Sequence, residues 1–110
     1  MKQSLYAKYV EERESGHVLE MPWGFVSYRY EKDHVYLEDL YVLPQFREQG
    51  KGMKLFSFVQ RKARSVGLKY VVGGICTKAR FATEMSKILL SWRCRLLSSE
   101  KDMIQYIKEV

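Results

Sequence analysis

The run from Val35 through Gly52 constrains this chain more than any other stretch. Val35 to Val42 is rich in β-formers and long enough for a well-patterned strand. Pro44 ends that strand, because it has no N–H to give to a ladder. Arg47-Glu48-Gln49-Gly50-Lys51-Gly52 then opens a segment from Gly52 to Val66 in which Leu55, Phe56, Val59, Ala63 and Val66 share one face, with Gly67 placed to stop the helix. A strand, a glycine turn and a helix in that order build an anion site. Glycine lets the backbone turn tightly and approach a ligand. The helix start aims unpaired N–H groups and the positive end of its dipole at the same spot. A pyrophosphate fits such a nest.

The rest of the pattern surrounds this unit with helices and strands. Lys2 to Arg13 reads as an amphipathic helix through Leu5, Tyr6, Tyr9 and Val10, with Gly16 as its stop. His17 to Met21 reads as a short strand, Pro22-Trp23-Gly24 as a break, and Phe25 to Tyr30 as a strand that forms an antiparallel hairpin with Val35 to Val42 across Glu31-Lys32-Asp33. Tyr70 to Cys76 is apolar at nearly every position, as a strand inside a covered sheet should be. Ala82 to Trp92 reads as a helix, Arg95 to Leu97 as a strand, Ser98 to Lys101 as a turn and Met103 to Lys108 as a last strand. The expected architecture is one α/β (α+β) domain spanning 1–110, with a mixed, mostly antiparallel sheet carrying helices on both faces.

Composition narrows the function classes. Hydrophobic residues make up 46% and charged residues 29%, which suits a folded domain rather than a disordered one. No apolar run approaches the roughly 18 residues a membrane span requires. The first residues lack the apolar core of a signal peptide, so the expected compartment is the cytoplasm. Cys76 and Cys94 have no metal-type spacing, and His17 and His34 have no partner at useful spacing, so no metal is expected. The formal charge of +6 fits an anionic partner, but the cations are scattered, which favours a solvated surface over a nucleic-acid stripe.

The glycine turn is neither of the two commonest nucleotide loops. A dinucleotide fold wants a third glycine and an acidic residue about 20 positions on, and a P-loop wants Gly-Lys-Ser/Thr. The string Val42-Leu43-Pro44, followed by Arg47-Glu48-Gln49-Gly50-Lys51-Gly52, instead resembles the defining motif of the GNAT superfamily of N-acetyltransferases, Arg/Gln-x-x-Gly-x-Gly/Ala after a strand ending in Val-x-Pro. The likeness runs from Trp23 to the C-terminus. Tyr36-Leu37-Glu38-Asp39-Leu40-Tyr41-Val42 is similar to the corresponding strand of diamine and polyamine acetyltransferases.

The resemblance implies acetyl-coenzyme A as cosubstrate. Its pantetheine arm would lie along Leu40, Tyr41 and Val42. Its pyrophosphate would sit on the backbone of Arg47, Glu48, Gln49, Gly50, Lys51, Gly52 and Met53. The sequence departs from the family in two ways. No Tyr stands between Val71 and Gln105, where the acid that protonates the departing thiolate is usual, and Leu89 falls near its place. Arg93-Cys94 also replaces the usual Gly-Phe. The N-terminal part is short for the family, so a homodimer would suit the chain.

An ammonium cannot attack a thioester, so acetylation of an amine needs a base. Glu38 is the first choice, lying on the strand beside the expected thioester, and Asp39 is the alternative. Regular alternation sends Asp39 to the opposite face, and a β-bulge would change which carboxylate meets the cleft. Both also make sense as ordinary polar strand positions. The leading expectation is acetyl transfer to a primary amine of a small molecule or a protein. A catalytically inactive protein on the same fold, binding coenzyme A or a protein partner, is the alternative.

Overall fold

The computed structural model describes residues 4–110. The expected residues Lys2 and Gln3 of the first helix lie outside that range. Helix α1 spans Leu5–Arg13. Ser4 caps it, accepting a hydrogen bond from the Ala7 amide at 3.0 Å. Its stop is not Gly16: the C-cap is Glu14, and Ser15 takes the left-handed conformation. Gly16 serves packing instead, since a Cβ there would stand 2.9 Å from Val10 Cγ1.

Strands β1 (His17–Met21), β2 (Gly24–Tyr30) and β3 (Val35–Val42) form an antiparallel meander. After a short 3-10 turn at Pro44–Phe46, helix α2 (Lys51–Ser65) crosses to strand β4 (Tyr70–Cys76), which pairs in parallel with β3. Helix α3 (Ala82–Ser91) and the hairpin of β5 (Arg95–Glu100) and β6 (Met103–Glu109) complete a six-stranded sheet ordered β1-β2-β3-β4-β6-β5. The turn expected at Ser98 to Lys101 is shorter than that. Ser98 and Ser99 stay in the ladder opposite Gln105 and Ile104, and Lys101 supplies a left-handed residue at the bend.

The helices cover both faces, as alternation along β2 and β3 shows. Val26 and Leu40 are register partners on the α2 side, where Val26, Val35, Leu55, Phe56 and Val59 are almost fully buried. Phe25 and Tyr41 are the next pair, and they face the other way, where Tyr6 of α1 meets Phe25 edge-on at 5.6 Å. Phe56 stacks on Trp92 at 5.0 Å, tying α2 to the end of α3.

Candidate active site

Two irregularities in the sheet make the site. The first is the parting of β3 and β4. They pair only from Val35 to Leu37 against Val71 to Gly73. Beyond Leu37 the strands diverge, so the side of β3 that faces β4 has no strand partner from Glu38 to Val42. The backbone groups that face the gap, apart from the Val42 carbonyl that the Arg47 side chain meets, must be met by water or a ligand. The gap opens a cavity of about 440 Å³, lined among others by Leu40, Gly74, Leu89, Trp92 and Tyr106. A cavity of that size suits a small-molecule arm.

The second irregularity is a β-bulge. Ser27 opposes Asp39 and Tyr28 opposes Leu37, so Glu38 is the unmatched residue. The bulge breaks the alternation expected of a regular strand. Glu38 and Asp39 now border the same small recess under α1, and both also border the large cavity. Glu38 pairs with Arg29, which also pairs with Glu31 and lies over the Tyr36 ring at 4.4 Å. Asp39 makes no ion pair among the described residues. Burial, and then the nearby Glu14 carboxylate, raise its pKa above the usual carboxylate value.

The glycine turn adjoins the cavity through Gly52, which packs near Leu40 and Trp92, two residues of its lining. Glu48 and Gly50 both take positive φ, and Gly50 is the N-cap of α2 with no side-chain cap bond. Lys54 is the first helix amide to find a carbonyl, that of Gly50 at 3.1 Å. The amides of Gly50, Lys51, Gly52 and Met53 therefore remain to be satisfied from outside the helix. Residues 47–50 are exposed, and a Cβ on Gly50 would meet nothing within 4 Å. Glycine is needed at position 50 for its φ and at position 52 for packing, where a Cβ would lie 3.3 Å from the Trp92 ring.

The side chains of the turn hold it in place. Arg47 Nε donates to the Val42 carbonyl at 2.9 Å, fastening the turn to the strand end, and Gln49 donates to the Gln45 carbonyl. The Lys51 ammonium lies 5.2 Å from the Trp23 ring. Lys78 pairs with Asp102 at 3.3 Å.

Leu89, which falls near the place expected for the tyrosine of the resembled family, lines the cavity. Ser91 donates its hydroxyl to the Ile88 carbonyl of its own helix at 2.6 Å, and burial pushes the Cys94 thiol pKa up, against the opposing effect of Lys108. The cavity does contain a phenol that pattern alone assigns to cross-strand pairing. The Tyr36 hydroxyl reaches over Gly74, where a Cβ would stand only 2.8 Å from it. Only the parting of β3 from β4, which no local signal announces, turns this side chain into a cleft residue. Among the described residues no group of three or more His, Cys, Asp or Glu could hold a metal ion, and no helix is long and apolar enough to cross a membrane.

A strand with one open edge, a cavity beside it and an uncapped helix start next to that cavity fit an elongated thioester carrying a pyrophosphate. These features define a nucleotide-thioester-binding α/β domain. The sequence profile of the acetyltransferase (GNAT) family matches residues 4–82, and the chain belongs to that family. No curated protein matches the sequence significantly.

Solved structures share the fold at low identity. A protein from Desulfovibrio desulfuricans assigned to the GNAT family of acetyltransferases superposes with a TM-score of 0.78 at 17% identity, over 93% of this chain and 76% of that one. A GNAT family acetyltransferase from Elizabethkingia anophelis, solved with acetyl-CoA bound, gives 0.73 at 16% identity, over 94% and 82%. The PaiA N-acetyltransferase of Thermoplasma acidophilum, in complex with coenzyme A, gives 0.72 at 11%, over 80% of this chain and 54% of that one.

Proposed function

We propose that this domain transfers the acetyl group of acetyl-CoA to a primary amine by direct attack, with no acyl-enzyme. The observation that carries the reading is the start of α2, which has no side-chain cap and adjoins the cavity between β3 and β4 through Gly52. The amides of Gly50 to Met53 take the pyrophosphate, where the helix dipole favours negative charge. The free edge of β3 from Leu40 to Val42 bonds the pantetheine arm. Acetyl-CoA supplies the activated thioester.

Glu38, oriented by Arg29, accepts the proton that the acceptor ammonium must lose before its nitrogen can attack, directly or through a water. The free β3 edge also offers amide hydrogens for the negative charge that gathers on the carbonyl oxygen. The C–S bond breaks as the N–C bond forms, Tyr36 hands its phenolic proton to the departing sulfur, and the second proton shed by the acylated nitrogen restores the phenol through water. That role follows from its place over Gly74 in the cleft.

The test is coenzyme A thiol release measured across an amine panel. Glu38→Gln is expected to lower kcat by about 10²-fold or more, and Tyr36→Phe by about tenfold or more, with KM for acetyl-CoA little changed in both. Full activity in Glu38→Gln overturns the assignment of the base. Acetyl-CoA binding without release of thiol to any amine supports instead the inactive binding protein, which the leucine at position 89 also suits.

A further inference from the structure

The six-stranded sheet ends in two unlike edges, β1 and β5. An edge strand presents a row of unpaired N–H and C=O groups, and folds guard it with Pro, Lys or a covering element. The β1 edge is guarded: α1 packs against the strand, and Pro22 follows its last residue. Strand β5 pairs with β6 on one side and, among the described residues, with no strand on the other. Its sequence, Arg95-Leu96-Leu97-Ser98-Ser99-Glu100, contains neither Pro nor Lys. Leu96 is 61% exposed and Leu97 48%, so the edge is apolar as well as open. Leu97 is also the residue that the ladder skips, since Leu96 opposes Tyr106 and Ser98 opposes Gln105. Arg95 and Glu100, exposed at the two ends of the strand, form no ion pair among the described residues.

We propose that β5 pairs with β5 of a second copy of this chain, antiparallel across a twofold axis between Leu97 and Ser98. In that register Arg95 of each copy stands opposite Glu100 of the other, Leu96 opposite Ser99, and Leu97 opposite Ser98. A contact between identical surfaces must complement itself. This strand does so, with a basic residue at one end and an acidic residue at the other. Directly opposed residues share a face, so the Arg–Glu pair forms twice. A parallel pairing in register would set Arg95 against Arg95 and Glu100 against Glu100. Sliding the antiparallel strands by two residues would lose both pairs. Main-chain bonds supply the attachment and the charges fix the register, as in other additions of a strand to a sheet edge.

The contact lies one strand away from the cavity. Tyr106 and Met103, the β6 partners of Leu96 and Glu100, line it. A second copy thus covers the outer edge of the hairpin that forms this wall. None of Arg95, Leu96, Leu97 and Glu100 lines the cavity, and the pairing holds whether or not the chain transfers acetyl groups. Six residues at about 3.4 Å each make a contact roughly 20 Å long, at the small end of specific interfaces.

Sedimentation equilibrium of the full chain over a range of concentrations measures the association. A monomer–dimer equilibrium with a Kd in the micromolar range is expected. Arg95→Glu and Glu100→Arg each set like charges opposite one another at both ends, and each should raise that Kd about tenfold or more. An equimolar mixture of the two variants restores opposite charges at both ends, so heterodimers should form with nearly the affinity of the unaltered chain. Leu97→Lys, a guard of the kind other edges carry, should leave a monomer that circular dichroism shows to be folded. A chain that stays monomeric throughout, or a dimer that all three changes leave intact, overturns the proposal. So does loss of the dimer in both charge variants without its return in the mixture.

Discussion

Gly50 carries more of the proposed chemistry than any side chain near it. Its φ of 77° is a conformation that Asn and Asp tolerate better than other residues, so two substitutions separate shape from charge. Gly50→Asp should raise the Kd for acetyl-CoA at least about tenfold above that of Gly50→Asn, because only the aspartate puts a negative charge where the phosphates go. Equal affinities by calorimetry would contradict the anion site. Asp39 illustrates the opposite bargain, a residue kept against stability. Its native pKa is raised, so the folded state binds a proton more readily than the unfolded chain, and its ionisation destabilises the fold as pH rises past the usual carboxylate range. Asp39→Asn is therefore expected to raise Tm at neutral pH. The gain should vanish in acid below both carboxyl pKa values, where Asp39 is protonated folded and unfolded alike. Thermal melts at the two pH values check this. At this scale the sequence pointed to the backbone of the turn but not to its side chains. Nothing in Arg-x-x-Gly-x-Gly tells that Arg47 bonds the Val42 carbonyl or that Lys51 lies against Trp23, because both depend on where Val42 and Trp23 end up in space.

Elements were legible where periodicity was strong and local. The strand Tyr70–Cys76 and helix α2 follow from apolar pattern and from Gly67, which takes the left-handed conformation expected of a helix stop. The β5–β6 turn was harder, because Ser98 and Ser99 are turn formers that the ladder to β6 overrides. The bulge at Glu38 and the parting of β3 from β4 are relations between strands, and a single segment carries no signal for either. Yet these two features place both carboxylates at the recess and open the cavity. Helix α2 supports one wall of that cavity through Phe56, which is 2% exposed and stacked on Trp92. Phe56→Ala should cost about 3–5 kcal/mol in urea unfolding, a large part of the stability of a typical small domain. A loss under about 1 kcal/mol would mean that α2 and α3 are not joined through this stack.

The whole molecule divides its labour by sheet face and by charge. The chain from Leu40 onward supplies the start of α2 and most of the cations, and the chain up to Asp39 supplies an excess of carboxylates, three of which line the recess with their neighbours. The two meet at β3, whose bulged centre borders both cavities. In the proposed reaction, such a division lets an anionic cosubstrate and a cationic acceptor reach one strand without either passing the other. The arrangement depends on the backbone amides at the start of α2 gripping the two linked phosphates of coenzyme A, and amide NMR observes those groups themselves. Titration of the protein with coenzyme A is expected to move the Gly50, Lys51, Gly52 and Met53 amide signals most, with smaller shifts along Leu40 to Val42. Saturating coenzyme A that leaves those four amides in place, or that moves only signals elsewhere, would contradict the account.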